Sequence, residues 1–408
     1  MNYHGKKTLL FIEPCLSSYP LVLKAKEKGY TTLVLSAPSE HGLLPEEVLN
    51  ASSSFFQLNI TNDVAVFDLV RKIAQKFYID GVIPGAEYYV PLAAKVALYL
   101  DRPGLIPESA LGIQRKDLMH NRLKTHGLPV PKYVRVEKKE ELKVALKEIK
   151  FPCVIKPLNC NGAIKAKKVN TNEEAFIAFE GTTSNEDRNS CCCNYPLQKG
   201  ALIEEYIQGK AYSVQGFLKE NAVHIVSIME KLFSLEPHLV EKGHIIHSEI
   251  DSEFFTMLEA FLRKVISALK LNYGPFEAKV RISEKGPILM KITMHLESCF
   301  TPKFIEYATG IDYYDNTLKL LSGQPLFLHK TQDLNTGVIF FDDLSKLESV
   351  QNSPHLKELK IYDKEAKLGP QDSSGRRKLG HAIFAHKDYE ILKQQMEGVV
   401  VRDPLMKN

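Results

Sequence analysis

No apolar run in this sequence approaches the roughly 20 residues of a membrane-spanning helix, so no span is expected. The first apolar stretch, Leu9-Leu10-Phe11-Ile12, is too short for a signal peptide and reads as a strand. With no export signal, a cytoplasmic protein is expected. Charge of one sign is also scarce. The net charge is only +4 over 408 residues, and the basic excess is not gathered into an arm or tail, so no nucleic-acid partner is implied. Seven cysteines, an odd number in a large chain, fit reduced thiols rather than a disulfide framework. The sequons Asn50-Ala51-Ser52 and Asn59-Ile60-Thr61 then carry no meaning. Cys191-Cys192-Cys193 lacks Cys-x-x-Cys spacing, and adjacent side chains converge poorly on one zinc. Internal repeats and low-complexity segments are absent. No Gly-x-Ser-x-Gly elbow supports hydrolase chemistry. Glu13-Pro14-Cys15-Leu16-Ser17 stands after the first strand, where a dinucleotide domain would carry Gly-x-Gly-x-x-Gly.

What is present is the composition of an ordinary globular chain, 44% hydrophobic and 25% charged, long enough for two or three domains. Strand and helix signals alternate over the first hundred residues. Strands are expected at Leu9–Ile12, Thr32–Leu35 and Gly81–Ile83, and helices at Tyr19–Lys28, Val64–Phe77 and Pro91–Leu100. That order predicts a parallel sheet with helices on both faces. Arg102-Pro103-Gly104 and Ile106-Pro107 punctuate a boundary. One helix is expected from about Glu108 to His126, stopped at Gly127. Glu137–Ile149 reads as a surface helix, and Phe151–Pro157 as a buried strand carrying one lysine, Lys156. Leu202–Tyr206 and Ser213–Leu218 read as strands, Phe254–Leu269 as a long amphipathic helix. The polar stretch Gly181–Gly200 reads as an exposed loop.

Two stretches near residue 280 alternate cleanly and read as a β-hairpin around Glu284-Lys285-Gly286-Pro287. Val280, Ile282, Ile288, Met290, Ile292 and Met294 are expected on the core face. Glu277, Lys279, Arg281, Lys291, Thr293 and His295 are expected on the other. Counting out from Lys285 puts Lys279 opposite Lys291. Like charges directly opposite on one sheet face repel, so this face needs an anion, carboxylate neighbours or open water. It is the first candidate for a site.

The order of elements and several phrases resemble the ATP-grasp superfamily, in particular the branch of carboxylate–amine ligases that includes L-amino-acid ligases. The resemblance runs from the first strand to about Gly323 and weakly into the tail. It is carried by Gly81-Val82-Ile83-Pro84-Gly85-Ala86-Glu87 with Pro91-Leu92-Ala93-Ala94, by Gly127-Leu128-Pro129-Val130-Pro131-Lys132-Tyr133, by Gly243-His244-Ile245-Ile246 and by Ala308-Thr309-Gly310-Ile311-Asp312. It implies a three-part architecture. An α/β N-terminal Rossmann-like domain would span 1–107. An ATP-grasp domain would span 108–330, in α+β subdomains 108–205 and 206–330, and a small α+β C-terminal domain 331–408. It also implies amide-bond formation through an acyl phosphate, with Mg-ATP clamped between two subdomains, and often a homodimer.

Residue by residue, the resemblance makes Lys116 and Lys156 the phosphate-side lysines, a role that suits a flexible point charge. It makes Glu204-Glu205-Tyr206-Ile207 the hinge strand that hydrogen-bonds the adenine. Lys116 could equally be a solvated helix lysine, but Lys156 lies in an apolar run where a surface role is hard to sustain. Of the family's glycine-rich loop only Gly162 remains, and Ala211 stands where a ribose-binding glutamate is usual. The two glutamates that hold Mg²⁺ fall at Lys279 and Lys291, the metal-side Asn at Thr293, and the Arg that steadies the acyl phosphate at His295. Mg²⁺ takes hard anionic oxygen ligands, which two ammonium groups cannot supply, so Mg²⁺ is not expected there.

Two function classes follow. In one, the chain is a ligase-fold pseudoenzyme without standard Mg-dependent catalysis. It would bind a nucleotide or other anion through lysines, or support an active ligase paralogue. In the other, it is an active ATP-dependent carboxylate–amine ligase with a metal-poor phosphate site. There Lys279, Lys291 and Arg281 would stabilise the transferring phosphoryl, and an amino acid or carboxylate would be substrate. For the hairpin itself, the anion-binding reading stands beside a plainer one, in which Glu277 pairs with Lys279 and the cleft is closed. His244 and His247 could border a substrate; the pair alone is a poor metal site. Specificity would sit in loops such as Phe233–His247 and Glu297–Lys303.

Overall fold

The computed structural model describes residues 6–15, 17–38, 44–158, 166–183, 199–233, 241–296, 300–341, 344–345, 347–362 and 378–399. Gly162, the Cys191–Cys193 run and parts of the two specificity loops lie outside the described residues.

The N-terminal sheet is built from β1 (Thr8–Ile12), β2 (Thr31–Ser36), β3 (Ser54–Gln57) and β4 (Gly81–Pro84). All its pairings are parallel, in the order β3-β2-β1-β4. β1 is buried along its whole length, as a strand covered by helices on both faces must be. The helices fall at Tyr19–Glu27, Asp63–Ala74 and Val90–Tyr99, close to expectation. The second opens on Asn62, whose side chain accepts from the Ala65 amide and caps the helix. The short helix Glu46–Ala51 and β3 add an αβ step without a clear sequence period. At the carboxyl edge β4 and β1 converge tightly. A Cβ on Gly85 would lie 2.0 Å from the Glu13 carbonyl oxygen, so only glycine fits there.

The expected helix over 108–126 is two helices, Pro107–Gln114 and Lys116–Thr125. The break is at Arg115, whose backbone is extended. The Lys116 amide turns instead to the Leu158 carbonyl at 3.2 Å. Tertiary pairing with the next sheet thus overrides a continuous helical pattern.

That next sheet contains β5 (Tyr133–Val136), β6 (Cys153–Pro157), β7 (Lys167–Val169) and β8 (Ala201–Glu205), antiparallel in the order β5-β8-β6-β7. Helices Lys139–Glu148 and Asn172–Thr183 contribute to its apolar core.

An eight-stranded antiparallel sheet completes the chain. Its strands are β9 (Lys210–Lys219), β10 (Ala222–Phe233), β11 (Glu241–Ile246), β12 (Gly274–Ser283), β13 (Gly286–Thr293), β14 (Asn335–Phe341), β15 (Leu356–Ile361) and β16 (Gly380–His386). They run in the order β13-β12-β9-β10-β11-β14-β16-β15, so the tail strands extend the sheet that carries the hairpin. One face packs on helix Ser252–Leu269 through Val214, Ala278, Val280, Leu289 and Ile292. The other packs on helices Thr301–Thr309 and Tyr313–Leu321, and this core runs on into β1 and β4 of the N-terminal sheet. Apolar burial is therefore continuous between the N-terminal domain and the hairpin sheet.

Candidate functional site

The hairpin forms with a two-residue loop, Ser283 pairing with Gly286. From there the register runs to Val280 opposite Leu289, and a bulge then leaves Met290 extra and brings Lys279 opposite Lys291. The expected lysine pairing is present, but it comes from the bulge rather than from counting out from the turn. The bulge also corrects the core face: Leu289 enters the core against helix Ser252–Leu269, in place of Ile288 and Met290. One extra residue exchanges the two faces of a strand.

Reading across the sheet, the pairings give successive polar rungs on one face. The lysine rung is Lys291–Lys279–Ser213. Beyond it lies Thr293–Glu277–Gln215–Ser227. Lys291 is nine-tenths buried, and its Nζ lies 2.7 Å from Oε2 of Glu87, just past the carboxyl end of β4. This ion pair spans 204 residues and ties the N-terminal domain to the hairpin. Ser213 Oγ donates to Glu277, and Gln215 Nε2 donates to Ser213 Oγ at 2.9 Å. His295 is buried and lines a cavity with Ser18, Pro84, Tyr273 and Thr317, between β4 and the hairpin. Arg281 lies at the other end of the face. Its guanidinium donates to the Gly209 carbonyl at 2.9 Å and stands 5.3 Å from the Tyr206 ring.

A second group forms on the four-stranded sheet. Lys156 Nζ meets Glu204 Oε2 at 2.6 Å, and His120 Nε2 meets Glu204 Oε1 at 2.9 Å. Burial alone would raise the Glu204 carboxyl, but the Lys156 ammonium and His120 outweigh it and hold it at about 2. Lys116 Nζ donates to the Pro157 carbonyl at 3.1 Å, so both lysines converge on the end of β6. His120 follows Lys116 by one helical turn and shares its face, which is the signal that could have marked it from sequence. Glu205 pairs through its amide with Lys132, Ile207 is buried, and Lys168 stands 4.3 Å from the Tyr206 ring. Tyr206 therefore has a cation from each sheet, Lys168 and Arg281, over its ring. The segment then presses on the hairpin: a Cβ on Gly209 would lie 1.9 Å from the Ile282 carbonyl oxygen.

The structure thus brings Lys116, Lys156 and Glu204 together, and separately Lys279 and Lys291. Arg281 and the 205–209 segment lie between the two sheets. The sequence reading missed Glu87 and His120 as partners. An acid just past the carboxyl end of a parallel strand, where open α/β sheets bind ligands, was the available sign for Glu87. His244 and His247 diverge. His244 is buried against Glu241 at 3.3 Å, with its imidazole pushed down to about 4 by burial. His247 faces Glu230 at 3.4 Å.

Comparison with known proteins agrees with this architecture. Residues 149–296 match an ATP-grasp domain. Over 276 residues the chain is 24% identical to "Uncharacterized protein y4rH" of Sinorhizobium fredii (strain NBRC 101917 / NGR234), covering 68% of this chain and 56% of that protein. It is 20% identical over 267 residues to the L-arginine-specific L-amino acid ligase of Bacillus subtilis, covering 64% and 62%. The chain therefore spans about three-fifths of these relatives' length. An L-amino acid ligase from Bacillus licheniformis superposes with a TM-score of 0.74 at 19% identity, covering 97% of both chains. N5-carboxyaminoimidazole synthetase from Staphylococcus aureus, complexed with ADP, gives 0.73 at 17% identity over 98% of both.

Proposed function

From a chain that carries an ATP-grasp domain on a carboxylate–amine ligase fold, we propose a nucleotide-binding protein whose cleft holds phosphate with lysines instead of divalent metal. The nucleotide lies between the four-stranded and eight-stranded sheets. Its adenine meets the Glu204–Ile207 segment and its phosphates meet Lys116 and Lys156, with Gly162 as the remaining glycine of the phosphate loop. Support for the nucleotide comes from the convergence of the two lysines on the end of β6 and from relatives of this fold that hold ADP.

The observation that carries the metal-free reading is the pairing of Lys279 with Lys291 on the sheet face. Two opposed carboxylates there would attract a cation; two opposed ammonium groups repel one and attract an anion. Lys279 and Lys291 cannot themselves ligate Mg²⁺, and no step is assigned to a metal. Arg281, on the same strand two residues from Lys279, adds to the positive field. Lys291 is not idle without ligand, since Glu87 neutralises it. A phosphate entering the cleft would exchange with Glu87 for that ammonium, so nucleotide binding and the tie to the N-terminal domain compete. Amide-bond chemistry of the relatives' kind would then proceed with lysine and arginine charge at the phosphoryl group.

The test is the double substitution Lys279→Glu/Lys291→Glu. Metal-free affinity for ATP should fall at least tenfold, and binding should become dependent on Mg²⁺. Unchanged metal-free affinity would sink the proposal that these lysines hold the anion.

A further inference from the structure

His120, Glu204 and Lys156 form a buried row that crosses from helix Lys116–Thr125 to the four-stranded sheet. Glu204 is 1% exposed and His120 0%, so water has little access to the carboxylate. Its two oxygens are divided, one to Lys156 Nζ at 2.6 Å and one to His120 Nε2 at 2.9 Å. The far nitrogen of the ring, His120 Nδ1, is buried and has no hydrogen-bond partner among the described residues. Buried polar atoms are normally paired, so this nitrogen calls for a reason.

The carboxylate fixes the tautomer. Glu204 is ionised, held at about 2, and an ionised carboxylate only accepts. Nε2 therefore carries the ring proton, and Nδ1 is a bare lone pair, the position at which this imidazole takes a second proton. In the unliganded chain Lys156 already matches the charge of Glu204, so nothing demands that proton. The other groups around the ring are engaged. The Tyr133 ring tilts against His120 at 5.4 Å, Arg115 and Arg135 pair with Asp117, Lys116 donates to the Pro157 carbonyl, and Lys168 stands over Tyr206. Helices Pro107–Gln114 and Ser252–Leu269 join this helix in an apolar cluster through Ile113, Met119, Leu123 and Leu258.

On the reading of Lys156 as a phosphate lysine, on which this step rests, nucleotide binding upsets that balance. The ammonium that matches Glu204 is the one the phosphates claim. Once it turns to them, a buried carboxylate is left with a neutral imidazole as its partner. A buried charge without a counter-charge is costly, and uptake of one proton restores the match. Imidazole takes that proton more readily than a carboxyl, with ordinary values of about 6.5 against about 4.3. The negative charge of the phosphates pushes the same way. We infer that His120 is a proton-linked positioning residue: it takes a proton from water at Nδ1 as the nucleotide draws Lys156 away, and as imidazolium it keeps Glu204 in place. The proton returns to water on release. Because the bound form holds more protons than the free form, affinity for the nucleotide falls as pH rises.

The test is calorimetry of the full chain with ATP in buffers of different ionisation heat, which reads the protons taken up per nucleotide. His120→Gln is the comparison, since its amide can still donate to Glu204 but cannot ionise. At about pH 7.5 the parent should take up at least about half a proton more than this variant, a difference from which the nucleotide's own protons cancel. Between about pH 7 and 9 the parent's affinity should fall at least about fivefold more than the variant's. Nitrogen NMR of the parent with labelled histidine needs no variant. One imidazole should pass from the neutral Nε2–H form to imidazolium when ATP is added. Adenosine, which has no phosphate for Lys156, should leave it neutral. Equal proton uptake in parent and variant, or spectra in which no ring changes with ATP, would overturn the inference and leave ATP binding standing. No ATP binding in either EDTA or Mg²⁺ would overturn the nucleotide reading and this inference with it.

Discussion

The ion pair between Glu87 and Lys291 adds a buried polar contact to the apolar packing between two domains, and its removal should be measurable as stability. Both side chains are about 11% exposed and their charged atoms are 2.7 Å apart. Substituting one partner, as in Glu87→Gln, takes the carboxylate from a buried ammonium; Lys291→Met takes the ammonium from a buried carboxylate. Truncating one member of a buried pair costs about 3–5 kcal/mol. Unfolding entropy of ~2.1 cal/mol/K per residue over 408 residues makes each ~0.9 kcal/mol worth about one degree. Each single variant should therefore melt ~3–6 °C below the parent in calorimetry. The double variant Glu87→Gln/Lys291→Met leaves no stranded charge and should recover most of the loss, since buried pairs are often replaceable by uncharged groups at little net cost. The cycle should return a coupling of at least ~2 kcal/mol. Single losses that simply add in the double variant would refute an energetic coupling between Glu87 and Lys291. The same variants carry a functional consequence. With Glu87 uncharged, Lys291 is released toward the cleft, and affinity for a phosphate-bearing ligand should rise.

Other outcomes follow from the same geometry. Gly209→Ala places a Cβ against the Ile282 carbonyl at a φ of 128°, so it should cost ~2 kcal/mol or more and weaken ATP binding by displacing the 205–209 segment from the hairpin. The Glu204 carboxyl sits at about 2 against an ordinary 4.5. Its stabilisation, on the order of 3 kcal/mol, should be whole above pH 4.5 and disappear as pH falls toward 2. Glu204→Gln should flatten stability over that window in acid-denaturation curves. Lys156→Met removes the ammonium that holds Glu204 at 2.6 Å, and should lower ATP affinity at least tenfold by calorimetry while the exposed Lys139→Met leaves it nearly unchanged.

Much of this fold was legible because its local signals agree. The alternation in β12 and β13 and the αβ order of the first hundred residues point to one answer. The misses have physical causes. The Arg115 break arises from a bond to Leu158, a partner 42 residues beyond Lys116 that no local window contains. The bulge at Met290 has no residue signature, because Lys279, Val280 and Met290 are all ordinary strand residues. For the site, single lysines such as Lys156 stood out against apolar neighbours. Glu87 and His120 did not, because they are distant in sequence from Lys291 and Glu204, the residues they meet only after the sheets have assembled.

The most direct test is ATP binding by calorimetry on the purified protein, once with Mg²⁺ and once with EDTA. Binding that persists in EDTA with comparable affinity is the predicted result, because lysines supply the positive charge. Binding that requires Mg²⁺ would mean that other groups hold a metal and would contradict the role given to Lys279 and Lys291.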